Sequence, residues 1–176
     1  TRSSAASDVY KRQEEDFNKL SEFISSKHMD WYSAEGVNTP NDGNMQFSHV
    51  MYENGVAGEK IAMVGAILDK LTPFLIMRIK ANLVLKTEEP IVHGMHIDFP
   101  EELDFKWLTG IYYVNTNNGY TLFENGEKIN SVANRMVIFN GKEKHSSVTQ
   151  TDTFRRFVIN FNFIEGLPDE VLEKYK

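Results

Sequence analysis

The chain has 176 residues, 41% of them hydrophobic and 25% charged, with a net charge of −6, which suits one globular domain with a substantial core. An acidic chain without a clustered Lys/Arg block argues against a nucleic-acid backbone as principal partner. The absence of cysteine excludes disulfides, iron–sulfur clusters, thiol nucleophiles and cysteine-ligated zinc. No apolar run reaches membrane-spanning length and no signal segment is visible, so the expectation is a cytoplasmic protein without a membrane partner.

Residues 1–13 are set apart from the domain, because Ser3 to Gln13 resembles translated sequencing-adapter sequence rather than a natural leader. Residues 14–176 are read as a single domain. From Glu14 to Lys27, Phe17, Leu20, Phe23 and Ile24 recur at helical spacing and give one apolar face. His28 to Gly58 is rich in Asn, Gly, Ser and Asp, which predicts loops with at most short strands. A second helix fits Glu59 to Leu71, with Ile61, Val64, Ile67, Leu68 and Leu71 on one stripe and Pro73 as its stop.

After Pro73 the period changes to two. Met77, Ile79, Ala81, Leu83 and Leu85 alternate with Arg78, Lys80, Asn82 and Val84, a strand with one greasy and one polar face. Further short strands are expected near 91–99, 108–115, 120–124, 127–131, 135–139 and 154–163. Asn118-Gly119, Asn125-Gly126 and Asn140-Gly141 separate several of them, as hairpin turns would. A last helix is expected from Pro168, with Asp169 and Glu170 in its first turn. Many short strands preceded by helices predict a mainly β fold with flanking helices, a small sandwich or jelly roll.

His96 and Asp98 stand two apart, and on a strand they project to one side. His-x-Asp alone is a weak signal, equally read as a surface hydrogen bond. His145 lies in the polar stretch Lys142 to Ser147, where a lone histidine is usually just solvated. Two histidines and a carboxylate on one face of a metal leave its other positions open, as a non-haem Fe(II) oxygenase requires. Their ligating atoms should then converge within roughly 3–4 Å of one another. Eleven residues after His145, Arg156 opens a strand in which Phe157, Ile159, Phe161 and Phe163 form an apolar face. Arg156, Val158, Asn160 and Asn162 form the opposite face, and an arginine there can fork onto a carboxylate or make a structural salt bridge. The polar face of Arg78, Lys80 and Asn82 either lines the same cavity or meets solvent. His93 competes with His96 only through an i,i+3 spacing that needs a helix.

Met95-His96-Ile97-Asp98, Gly110-Ile111-Tyr112-Tyr113-Val114-Asn115, Gly119-Tyr120-Thr121-Leu122, Arg135-Met136-Val137-Ile138-Phe139, His145 and Arg156-Phe157-Val158-Ile159-Asn160 together resemble the prolyl-4-hydroxylase-like branch of the 2-oxoglutarate/Fe(II) dioxygenases. The likeness spans about residues 74–163 and is nearest to the short forms carried by phages and marine microbes. It implies a double-stranded β-helix (cupin-like) in which His96, Asp98 and His145 bind Fe(II). It also implies that Arg156 pairs with the distal carboxylate of 2-oxoglutarate, with Tyr113 hydrogen-bonded to the same cosubstrate. Many members carry Ser or Thr two residues after the arginine, where this chain has Val158. Anchoring therefore leans on Tyr113 or on Lys80 and Asn82.

The resemblance implies an enzyme that uses O2 to split 2-oxoglutarate into succinate and CO2 while hydroxylating a peptidyl, prolyl or small-molecule substrate. A carboxylate at Asp98 implies hydroxylation, since halogenating relatives have a small residue there. Two other readings stand beside it: a non-catalytic double-stranded β-helix binding domain, and a cupin-like metalloenzyme that does not use 2-oxoglutarate.

Overall fold

The computed structural model describes residues 4–34, 36, 44–100 and 105–166. The expected helix from Pro168, most of the Asn38–Asn44 loop and residues 101–104 lie outside them. The first helix, α1, runs Ser4–Ser25 and so continues back through the segment set apart as adapter-like. Ala5, Ala6, Lys11, Arg12 and Gln13 are all good helix formers, and nothing in that stretch breaks the turn.

Three strands precede the second helix: β1 (Tyr32–Ala34), β2 (Gln46–Glu53) and β3 (Val56–Ala57). The eight-residue β2 corrects the expectation of at most short strands here. Phe47, Val50 and Tyr52 favour a strand, and pairing along its length with the next long strand fixes its extent. Asn54 and Gly55, at φ 53° and 79°, turn β2 into β3, the left-handed pair that a tight hairpin needs. The expected 59–71 helix divides into a 3-10 turn at Ile61–Val64 and α2 at Gly65–Leu71. It stops at left-handed Thr72, one residue before Pro73.

The remaining strands are β4 (Leu75–Leu85), β5 (Leu108–Tyr113), β6 (Tyr120–Phe123), β7 (Lys128–Asn130), β8 (Arg135–Asn140), β9 (His145–Val148) and β10 (Arg155–Ile164). Two differences from the sequence reading bear on the site. Residues 91–99 do not form a continuous strand; only Val92 and His96 make isolated bridges, to Val148 and His145. Four residues separate the first pair of partners and three the second, so one extra residue interrupts the ladder and its alternation. The stretch around His145 is not a loop: His145 opens β9, a strand that the sequence hides because His-Ser-Ser-Val shows no apolar alternation.

One sheet has the order β1-β2-β4-β10-β5-β8, with β3 on β2, and the other is β7-β6-β9; all neighbours are antiparallel. The alternation of β10 explains both of its faces. Phe157, Ile159, Phe161 and Phe163 join Ile79, Ala81 and Leu83 of β4 in the main core, which Leu20 and Ile24 of α1 and Val64 cover. Ile111, Tyr113, Phe123, Phe139 and Val158 form a second cluster, of which Ile111 and Val158 line the space between the two sheets. Two antiparallel sheets facing one another, with helices on the outside of the larger, make this a double-stranded β-helix.

Two of the Asn-Gly pairs are not simple turns. A Cβ at Gly119 would lie 3.0 Å from Arg156 Cδ, and a Cβ at Gly141 would lie 1.8 Å from Trp107 Nε1. Both glycines are close-approach positions. The Asn125-Gly126 pair does turn β6 into β7, with Gly126 at φ 88°.

Candidate metal centre

Between the sheets lies a cavity walled by Lys80, Asn82 and Val84 of β4, Ile111 of β5, Thr121 of β6 and Arg156, Val158 and Asn160 of β10. His96, Asp98, His145 and Ser147 close it from the other side. Register explains the grouping. Arg156 lies opposite Val84, Val158 opposite Asn82, Asn160 opposite Lys80 and Asn162 opposite Arg78, so the polar faces of β4 and β10 form one wall in matched rows.

Among the described residues one cluster of metal-ligating side chains emerges: His96, Asp98 and His145, whose ligand atoms lie within 4.8 Å of one another. This is wider than the roughly 3–4 Å that ligands about 2.0–2.2 Å from a shared ion imply. Three donors hold Asp98 against the wall. Arg78 Nη2 reaches Oδ1 at 3.0 Å, and Asn162 Nδ2 and Thr109 Oγ1 reach Oδ2 at 2.8 and 3.3 Å. Arg78, Asn162 and Thr109 occupy one transverse row of β4, β10 and β5. Burial alone would push the Asp98 carboxyl up. The charges of His145 and Arg78, the hydrogen bond from Asn162 and the charge of His96 outweigh burial and hold it below the usual range.

The two imidazoles are oriented from behind. His96 Nδ1 lies 3.1 Å from the Gly94 carbonyl and His145 Nδ1 lies 3.2 Å from the Glu143 carbonyl. A carbonyl can only accept, so each Nδ1 donates, and Nε2 is the atom left to bind a metal in the neutral ring. The main chains of His96 and His145 exchange both hydrogen bonds at 3.0 Å, and their rings lie 4.7 Å apart. Phe139 packs edge-on against His145 at 4.9 Å. Burial pushes the His145 pKa down, opposed by Asp98 and assisted by His96, which favours the neutral ligand form. Two imidazoles and one carboxylate are a donor set that fits a divalent iron-type ion with open positions.

At the other end of the wall Arg156 is 1% exposed. Its Nε donates to Ser131 Oγ at 2.8 Å and its Nη1 to Ser147 Oγ at 2.6 Å. Among the described residues no carboxylate pairs with it. Burial lowers its pKa to about 10, a loss that Tyr113 partly offsets, and it stays cationic near neutrality. Arg155 is exposed on the opposite face, its guanidinium 5.5 Å from the Phe157 ring. Lys80 and Asn82 both line the cavity rather than facing solvent. Desolvation lowers the Lys80 pKa, as does Arg78, against smaller opposing effects of Asp98 and Glu53. Tyr113 is fully buried in the wall; its hydroxyl meets Thr121 Oγ1 at 2.7 Å and the Ile129 carbonyl at 3.4 Å.

Sequence reasoning did not single out Thr109, Asn162, Ser131, Thr121 or Ser147. Alternation along β10 carried a signal for Asn162. Ser147, two residues after His145, becomes readable only once β9 is known to be a strand.

The double-stranded β-helix thus holds a His, Asp, His cluster and a buried arginine in one cavity. The fold resembles a solved 2OG-Fe(II) oxygenase family oxidoreductase from Burkholderia pseudomallei, with 13% identity, TM-score 0.51 and 70% of each chain covered. It also resembles a prolyl hydroxylase from Trichoplax adhaerens, solved with a hypoxia inducible factor oxygen degradation domain peptide, with 12% identity and TM-score 0.53, over 89% of this chain and 93% of that one. No protein-family profile and no curated relative matches the sequence. No helix among the described residues is long and apolar enough to cross a membrane.

Proposed function

We propose that the protein is an Fe(II)- and 2-oxoglutarate-dependent dioxygenase that hydroxylates a peptidyl, including prolyl, or small-molecule substrate. The observation that carries this reading is the pairing of two features in one cavity: the His96, Asp98, His145 cluster and a buried arginine without a carboxylate partner among the described residues. Burying an ion costs several kcal/mol unless an opposite charge compensates it. Two serine hydroxyls satisfy hydrogen bonds of Arg156 but not its charge. A ligand carboxylate would supply the missing anion through a charge-assisted fork.

In this reading His96 Nε2, His145 Nε2 and one Asp98 oxygen hold Fe(II), and Arg156 holds the distal carboxylate of 2-oxoglutarate. Iron with this cosubstrate and O2 supplies an oxidative hydroxylation coupled to release of succinate and CO2. The chain's own work is placement. The row of Arg78, Asn162 and Thr109 fixes the aspartate, and backbone carbonyls fix both imidazoles. Val84, Ile111 and Val158 give the cavity dry walls, which strengthen charge interactions inside it. Lys80 and Asn82 line the path between the two ends and contact the cosubstrate. A peptide substrate draws support from the Trichoplax enzyme, whose structure carries a peptide.

Anaerobic titration of the Fe(II)-loaded protein with 2-oxoglutarate tests the proposal. The expected result is a weak visible charge-transfer band, followed by cosubstrate-dependent CO2 release on admitting O2. Metal binding without that band or CO2 release would instead favour a cupin-like metalloenzyme. Failure to bind metal would favour a non-catalytic binding domain.

A further inference from the structure

The end strands of a sheet carry unpaired backbone groups, and folds protect them by shortness, charge or irregularity. Among the described residues, all but one of the sheet ends are protected in these ways. β1, at one end of the larger sheet, has three residues. β7, at one end of the smaller, also has three and starts on Lys128. The segment carrying His96, at its other end, meets β9 only through two bridges with an extra residue between them. β8 is different. It has six residues, pairs with β5 without a register shift and carries no charge after Arg135.

The Gly141 N–H donates to the Trp107 carbonyl at 2.9 Å, one step past the Leu108–Asn140 pair. Along β8 the odd-numbered residues therefore turn their backbone groups toward β5, and Met136, Ile138 and Asn140 turn theirs outward. Among the described residues nothing pairs with the outward N–H and C=O of Met136 and Ile138. Ile138 is 47% exposed, although Met136 on the same face packs against the main core. The apolar surface continues from Met136 into a cleft lined by Phe17, Ile67 and Leu71.

Charge points to the occupant of this edge. Arg135 opens β8, exposed and with no carboxylate partner among the described residues. Beyond the other end, Lys142 lies over the Trp107 ring at 5.8 Å and Lys144 pairs with Glu124 at 3.6 Å. Glu143 between them is exposed and is left without a countercharge among the described residues. A second copy laid antiparallel brings each Arg135 to the partner's Glu143, twice over by symmetry. A parallel copy would set arginine beside arginine.

We propose that β8 is a homodimer interface, at which two copies pair antiparallel about a two-fold axis at Ile138 and join their larger sheets into one. Ile138 then faces the partner's Ile138, Met136 faces the partner's Asn140, and Arg135 lies diagonal to the partner's Glu143, within reach of long side chains.

Sedimentation equilibrium of the full chain over a wide range of concentration tests this. The wild type should show twice the chain mass when concentrated and the mass of one chain on dilution, as mass action requires. Ile138→Lys should weaken dimerisation about tenfold or more, because it sets like charges together at the axis. Arg135→Glu and Glu143→Arg should each weaken it as well, whereas an equimolar mixture of the two should dimerise, each new charge meeting an unlike one. Melting temperature and circular dichroism confirm that each variant is folded. A single-chain mass for the wild type at every concentration would overturn the proposal and leave the edge to a different strand. A wild-type dimer that Ile138→Lys leaves intact would place the interface elsewhere. Failure of the mixture to dimerise, with both single variants weakened, would overturn the antiparallel alignment.

Discussion

Arg78 and Asp98, twenty residues apart, meet at 3.0 Å with side chains only 15% and 6% exposed. The guanidinium also lies 4.9 Å from the Phe99 ring centre. The carboxylate proposed as a metal ligand is thus tied to the sheet wall by a buried ion pair. Arg78→Met should destabilise the protein by about 3 kcal/mol, the lower end for breaking a buried pair, because Asn162 and Thr109 still satisfy Asp98. Urea unfolding measures this. A loss below about 0.5 kcal/mol would mean the pair behaves as a surface contact.

The metal cluster yields the most direct expectation. His96→Ala and His145→Ala should each abolish Fe(II) binding and turnover together. Co(II) absorption under anaerobic conditions follows binding independently of turnover. Full activity in either variant would place the metal elsewhere.

Arg156 and Arg155 are neighbours on opposite faces of β10, one buried against Ser131 and Ser147 and the other exposed over Phe157. Arg156→Ala should weaken 2-oxoglutarate binding roughly ten- to a hundred-fold, the effect of losing about 1.5–3 kcal/mol of charged hydrogen bonding. Iron binding should survive. Arg155→Ala should leave the Michaelis constant for the cosubstrate nearly unchanged, and exchanged phenotypes would reverse the facing of the strand.

Gly141 has no room for a side chain, since a Cβ would fall inside the Trp107 ring, itself 1% exposed. Gly141→Ala should cost about 1–3 kcal/mol or more by overpacking. A melting temperature within a degree of wild type would show that the tryptophan shifts freely.

Acid should destabilise the metal-free protein through His145. Its folded pKa lies below the ordinary 6.5 because burial disfavours the charged ring. The unfolded chain therefore takes up the proton first. Stability is full above about pH 6.5 and falls as the pH drops from there toward the lowered folded value. Thermal unfolding between about pH 5 and 7.5 should show this fall, and His145→Gln should flatten it. An unchanged slope would mean that other groups set the acid limit.

The sequence by itself determined the features that live in local periodicity. The change from a helical to a two-residue period at Pro73, the two faces of β10 and the greasy back of β4 were all legible. Those patterns place Arg156 opposite Phe157, because strand geometry sends neighbours to opposite sides whatever they pack against. What only the tertiary structure decided are features whose cause lies across the sheets. β2 runs its full length, and β9 is a strand at all, because β4 and β6 pair with them; His145–Val148 by itself proposes none. The segment carrying His96 and Asp98 is held by two bridges and the donors of Arg78, Thr109 and Asn162 rather than by a strand of its own. Ser131, Thr121 and Ser147 reach Arg156 and Tyr113 only once two sheets face one another. A hydroxyl's partner is set by where the chain returns in space, and no one-dimensional pattern encodes that return.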